Sequence, residues 1–208
     1  TLASIMILAE NNQPREVAEL CRNLSSIMRY ITDSHMSKVT MEKELDYVRR
    51  YLYCMKVRYQ DSLRYIIDVD ASILQEEVPK LIIQPLVENA LKYGTDCEAP
   101  WTILIQSHVS EEEWRIDVID NGNGFSCKAL EKLSAGIQNI DIGKGMPELQ
   151  INGLGLLNVY SRWKLHCRED MIFAYGNTKE GHGQVSIGRK FRPGSESNGN
   201  ESLYCGGS

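Results

Sequence analysis

The spacing of apolar residues changes period near residue 60, and that change limits the chain to folds that join helices to a sheet. Over residues 1–60 the apolar positions fall on helical stripes. Leu2, Ile5, Met6 and Ala9 form the first, which "NNQP" interrupts. Pro14 then suits the first turn of a new helix, where its missing N–H costs nothing. Val17, Leu20, Cys21, Leu24, Ile27, Met28 and Ile31 line one face of that helix. After the polar break "TDSHMSK", Thr40 reads as an N-cap, with Glu42 and Glu44 in the positive first turn. Position 43 holds Lys where a capping box wants Glu or Gln. Leu45, Val48, Leu52, Met55 and Tyr59 continue the stripe, and helices so connected pair antiparallel. They read either as cover for the rest of the domain or as a helical dimerisation arm.

From residue 62 the pattern turns to strands. "LRYIIDVD" alternates, and "WTILIQSHV" and "EWRIDVID" read as two strands joined by the acidic turn "SEEE". Between them, "LIIQPLVENALKYG" has helical spacing, starts at or just before Pro85, and ends at Gly94, a good C′ residue. Residues 126–152 read as a long connection bearing Gly136, Gly143 and Gly145, with only a short helical piece near "KALEKLS". "GLGLLNVYSRWKLH" restarts a helix, and "MIFAYG" and "GQVSIGRKF" close with two strands. The polar tail from Pro193 is expected to be disordered. These elements predict an α+β domain, a two-layer sandwich of helices on one face of a mostly antiparallel sheet. The expected division is a partial helical hairpin over 1–60, an α+β domain over 61–192 and the tail over 193–208.

Composition narrows the function classes. A net charge of -5 gives the chain no basic footprint for nucleic acid, which is excluded as a partner. No apolar run approaches the roughly 18 residues a membrane span needs, so membrane contact is expected only through segments outside this chain. "TLASIMILAE" is too short and lacks the basic leader of a secretory signal. The six cysteines include no C-x-x-C pair and no histidine at zinc spacing, which points to reduced cytoplasmic thiols. The four histidines are dispersed, and none pairs with Ser or Cys as a nucleophile system.

Three short motifs stand in order: "ENALKYG" (88–94), "DNGNG" (120–124) and "NGLGL" (152–156). Each alone has an ordinary reading as a solvated helix residue, a turn or a tight loop. Their chemistry converges, however. Asp120 at a strand end can accept a hydrogen bond from an exocyclic amine, while Gly122 and Gly124 let backbone approach a planar base. Gly153 and Gly155, before a helix, offer bare N–H groups and a positive dipole end to phosphates. Asn89 offers an amide oxygen suited to Mg²⁺, which binds few protein groups and keeps water and phosphate oxygens. Lys92 lies on the same helix face and can meet phosphate charge, and Tyr93 can stack on a base. Together they describe a purine-nucleotide triphosphate site.

Asn89, then D-N-G-N-G, then G-L-G-L after a glycine-bearing loop resemble the N, G1 and G2 boxes of the GHKL ATP-binding fold. More narrowly, "VTMEKELDYVRRYLYCMKVRY" followed by "IIQPLVENALKYG", and then "GLGLLNVYSRW", are similar to the LytS/YesM type of bacterial sensor histidine kinase. The resemblance covers roughly residues 1 to 190. It implies that Asp120 binds the adenine amino group, that Asn89 ligates Mg²⁺, that Lys92 contacts phosphate and that Tyr93 packs on the base. Gly153, Leu154, Gly155 and Leu156 would form the hinge of an ATP lid over about 126–152. It further implies a homodimer, a response-regulator receiver domain as phosphoryl acceptor, and a cytoplasmic place in a membrane sensor.

Three departures bear on that reading. The group's phosphoacceptor His lies in an H-F-L-Y-N-type motif expected upstream of Thr1, and His35 has neighbours that do not match it. Tyr93 stands where the group usually has His. Gln184 stands where the group commonly has a Thr that helps hold the adenine-binding Asp. Two rival readings stay open. In a GHKL-type ATPase a Glu four residues before the metal-binding Asn orients water, but Pro85 occupies that position. Glu88, about 100° round the helix from Asn89, is either a base for an attacking imidazole or a solvated carboxylate. A non-catalytic nucleotide-binding scaffold is the other rival.

Overall fold

Pro14 opens the second helix at its first positions, as its locked φ favours. The computed structural model describes residues 2–33, 37–141 and 154–191. The helical part consists of α1 (Leu2–Glu10), α2 (Pro14–Thr32) and α3 (Met41–Tyr59). Thr40 caps α3, its Oγ1 accepting from the Lys43 amide at 3.4 Å. Asn23 meets Arg50 while Tyr30 meets Glu44, so sequence numbers fall along α3 as they rise along α2. The pair is antiparallel.

A short strand, β1 (Lys38–Thr40), follows α2, where a plain polar break was expected. It pairs antiparallel with β3 (Glu77–Pro79). The main sheet holds β2 (Leu63–Asp68), β4 (Trp101–Val109), β5 (Glu113–Asp120), β6 (Met171–Asn177) and β7 (Gly183–Lys190). Its order is β2-β4-β5-β7-β6, with β2 and β4 parallel and every other pair antiparallel. The helices α4 (Gln84–Gly94), α5 (Cys127–Asp141) and α6 (Leu154–Cys167) complete the fold. The result is the expected two-layer α+β sandwich.

Strand alternation sorts the side chains into two faces. Ile103, Ile105, Trp114, Ile116, Val118, Val185 and Ile187 are buried beneath the helices. The opposite face carries Gln106, His108, Arg115, Asp117 and Ser186. There the buried Asp117 carboxylate lies 2.9 Å from Arg115 Nε and 3.2 Å from His108 Nε2. Leu20 and Ile27 of α2 and Leu45, Val48 and Leu52 of α3 belong to the same buried cluster as the inner sheet residues.

The helix α5 is longer than "KALEKLS" suggested, because Gly136 does not break it. A Cβ at Gly136 would stand 2.7 Å from Leu157 Cδ1, so the glycine serves close packing of α5 on α6. Asp141 ties the two helices together, accepting from Tyr160 Oη and Lys164 Nζ at 2.6 Å each. Residues 142–152 of the expected lid and Gly153 of its expected hinge lie outside the described residues, as do His35 and the tail over 193–208. Among the described residues no helix is long and apolar enough to cross a membrane, and the five described cysteines are free.

Candidate functional site

Asp120 is the last residue of β5, and the turn behind it is fastened on two sides. Asn121 continues the ladder with its side chain: Oδ1 accepts from the Thr102 amide at 2.6 Å and Nδ2 donates to Pro100 O at 2.9 Å. Gly124 takes a φ of +68°, and a Cβ there would come within 2.3 Å of Gly181 O. Only glycine fits so close to the β6–β7 hairpin. Asn177 at the end of β6 then brackets Phe125, accepting from its amide at 2.7 Å and donating to its carbonyl at 3.0 Å.

Three glycines surround the Asp120 carboxyl group. Ideal Cβ positions at Gly94, Gly122 and Gly183 would lie 3.1, 2.9 and 2.6 Å from Asp120 side-chain atoms. The carboxylate accepts from the Gly122 amide at 2.9 Å and from the Gly183 amide. His182 Nδ1 lies 3.1 Å from Gly122 O on the same hairpin. Burial raises the Asp120 pKa above the usual carboxylate value, against the two amides and the His182 charge, which lower it. Asp120 is 7% exposed. It is therefore a desolvated acceptor with two of its lone-pair directions already used and the rest available to a ligand donor.

Gly94 ends α4 against Asp120, so α4 and β5 converge with their C-terminal ends together. Asn89, Lys92 and Tyr93 sit at spacings of three and four along α4 and share its face. Asn89 is half-buried, Lys92 and Tyr93 are exposed, and Lys92 Nζ lies 5.1 Å from the Tyr93 ring centroid. By helical rise Asn89 lies about 7.5 Å along the axis from Gly94. Glu88 is exposed and accepts from Gln84 Nε2 at 2.7 Å. Its charge raises the pKa of Tyr47 and Tyr51 on α3, after the larger effect of their own burial, so its side of α4 looks toward α3.

Leu154 starts α6, and Gly155 in its first turn has open space where a Cβ would stand. Leu156 is 6% exposed and packs in the core. Its side chain seats the helix on the core. Gln184 lies in β7. It pairs with Ile119, one residue before Asp120, so alternation turns it to the outer sheet face, where its Nε2 lies 3.4 Å from Ser186 Oγ. The support expected from position 184 comes from the Gly183 amide and from the turn itself. His182 and Gly183 were missed in the sequence. The signal, "GHG", reads as an ordinary hairpin turn until the hairpin is known to close on Asp120.

Residues 75–192 match the family model described as histidine kinase-, DNA gyrase B-, and HSP90-like ATPase. The chain belongs to this ATPase family. Residues 1–63 match a family model described as histidine kinase. The chain is similar to sensor histidine kinase YesM of Bacillus subtilis (strain 168), 34% identical over 168 residues, 79% of this chain and 26% of that protein. It is similar also to sensor protein kinase HptS of Staphylococcus aureus (strain USA300), 27% identical over 126 residues, 61% and 24% of the two chains. The chain spans about a quarter of the length of these curated relatives. In fold it is like the nucleotide-free catalytic domain of histidine kinase ThkA, with a TM-score of 0.52 at 16% identity over 74% of this chain and 94% of that one. Membership of the ATPase family implies ATP binding.

Proposed function

We propose that the parent protein is a histidine kinase and that its ATP binds between α4, the Asp120 turn and the start of α6. The observation that carries this reading is the Asp120 carboxylate, buried at a strand end and closed in by Gly94, Gly122 and Gly183. Such a carboxylate accepts from the adenine amino group, and the bare glycine backbone leaves room for the flat base. Tyr93 packs on the base, Lys92 meets phosphate charge, and the first turn of α6 at Gly155, with Gly153 and Leu154 before it, offers N–H groups to phosphate. A single side-chain amide oxygen, Asn89, is a donor set suited to Mg²⁺, which keeps phosphate and water as its other ligands. When bound, Mg²⁺ supplies charge neutralisation for phosphoryl transfer.

The γ-phosphoryl group then passes to a histidine imidazole on the helical arm, upstream of Thr1, and from there to an Asp of a response-regulator receiver domain. Glu88 is the carboxylate on the side of α4 turned toward the arm, and we assign it the imidazole proton. Leu2, Met6 and Ile7 on α1, with Met28 and Ile31 on α2, are exposed apolar residues that fit a homodimer of the helical arms. We retain 1–60 as the arm and 61–192 as the catalytic domain, in a cytoplasmic location.

Calorimetric titration with ATP and GTP tests the site. Guanine places a carbonyl oxygen where adenine places its amino group, so an acceptor meets the Asp120 carboxylate. Leaving such groups unpaired costs about 1–3 kcal/mol, roughly 5- to 150-fold in affinity. We expect ATP to bind tighter by that factor; equal binding of the two overturns the assignment of Asp120.

A further inference from the structure

The entry to α4 is held by a residue that lies far away in sequence. Ile83, the N-cap of α4, makes no side-chain capping bond. In place of a local cap, Glu44 of α3, fully buried at 0% exposure, reaches across. Its Oε1 accepts from the Leu81 amide at 2.6 Å, and its Oε2 accepts from the amides of Ile82 at 2.8 Å and Ile83 at 3.2 Å. Tyr30 Oη of α2 donates to the same Oε1. Leu81 has a φ of +59°, a left-handed conformation that is strained for a leucine and persists only where its surroundings enforce it. That turn is what aims three successive N–H groups at one carboxylate, in the manner of an anion nest.

The same loop, with Lys80 just before it, also receives α6 and the end of α2. Arg162 of α6 donates to the carbonyls of Lys80 and Leu81. Lys80 donates to Asp33 O at the end of α2, and its Nζ lies 4.8 Å from the Tyr30 ring centroid. So α4, which carries Asn89, Lys92 and Tyr93, and α6, which begins beside Gly155, are both referenced to the loop that Glu44 grips. Asn89 lies six residues beyond Ile83, about 9 Å along the helix.

We propose that Glu44 is a positioning residue for the nucleotide site, fixing the first turn of α4 and thereby linking the packing of α2 on α3 to ATP affinity. This rests on the assignment of the ATP site to α4, the Asp120 turn and α6. The link is reciprocal: whatever moves α2 and α3 changes nucleotide affinity, and bound nucleotide tightens their hold on the loop. Glu44→Gln replaces one acceptor oxygen with a donor NH₂, which faces either the Ile82 and Ile83 amides or the Leu81 amide and Tyr30. Tyr30→Phe removes only the hydroxyl that orients Oε1.

The test is ATP affinity by calorimetry on this chain and on Glu44→Gln, Tyr30→Phe and the double variant, with amide hydrogen exchange at Leu81–Ile83. Glu44→Gln is expected to lower ATP affinity about 10-fold and Tyr30→Phe about 3-fold. The double variant is expected to match Glu44→Gln alone, because Tyr30 acts through Glu44; purely structural losses would add. ATP is expected to slow exchange at the three amides in the parent chain and not in Glu44→Gln. A folded Glu44→Gln that binds ATP within twofold of the parent, or additive losses in the double variant, overturns the proposal while leaving the ATP site standing. A parent chain that does not bind ATP overturns both. Should Glu44→Gln fail to fold, Tyr30→Phe decides, and unchanged affinity in it overturns the proposal.

Discussion

Asp120→Asn is expected to remove most of the ATP affinity while leaving the fold intact. An ionised acceptor makes hydrogen bonds roughly twice as strong as a neutral one. The asparagine NH₂ would also face the Gly122 or Gly183 amide, donor against donor. Together these amount to about 2–4 kcal/mol, or roughly 30- to 1,000-fold in Kd. The stability of the fold should change little, because the neutral amide avoids the burial cost that raises the Asp120 pKa and this offsets the donor–donor contact. The pH dependence gives the sign independently. With a native pKa raised above the unfolded value of about 3.9, the proton on Asp120 stabilises the fold below the unfolded pKa. That contribution is lost as pH rises through the raised native pKa. ATP affinity moves the other way, rising through the same window as the acceptor ionises. Calorimetry from pH 4 upward on parent and variant checks both; an acid limb in Asp120→Asn as steep as in the parent would assign the effect to another group.

The second large effect is on stability. Trp163 of α6 is fully buried, with its Nε1 donating to Gly188 O at 2.9 Å and to Ile172 O at 3.2 Å. Its ring meets Trp114 edge-on at 5.8 Å and stacks on His166 at 5.4 Å. It joins α6 to β5, β6 and β7 through one side chain. Trp163→Ala is expected to cost about 3–5 kcal/mol, a large part of the about 5–15 kcal/mol that holds a typical domain. For a chain of this size that lowers Tm by roughly 6–20 °C, measured by far-UV circular dichroism. Trp163→Phe, which keeps a ring and loses the donor, should fall between. A shift below about 2 °C in Trp163→Ala would show that α6 is seated by other contacts.

What could be read from the sequence was what local pattern encodes. Pro14, Thr40 and Pro85 marked helix starts through their own backbone chemistry, and alternation marked β2, β4 and β5. Asp120, Asn89, Lys92 and Tyr93 were singled out because residue type and order pointed to a nucleotide, and the fold sets the end of α4 against Asp120. What the pattern could not hold was contact between distant segments. Glu44 looks like any acid in a first helical turn, and only the amides of Leu81–Ile83, some 37 residues on, make it a buried cap. Gly136 reads as a break until Leu157 is found where its Cβ would be. Gln184 was placed beside Asp120 by its position in a motif, yet a single step of strand alternation turns it to the far face and gives the role to Gly183. Strands β1 and β3, three residues each, are too short for any period to show.

The most direct test of the account is phosphoryl transfer by the full-length protein with γ-labelled ATP and Mg²⁺, read alongside Asn89→Ala. The expected result is label on the protein that survives alkali and is lost in acid, as phosphohistidine is, and that is absent in Asn89→Ala. Label released only as free phosphate, with none on the protein, would make this an ATPase and contradict the account, and so would a protein that leaves ATP untouched.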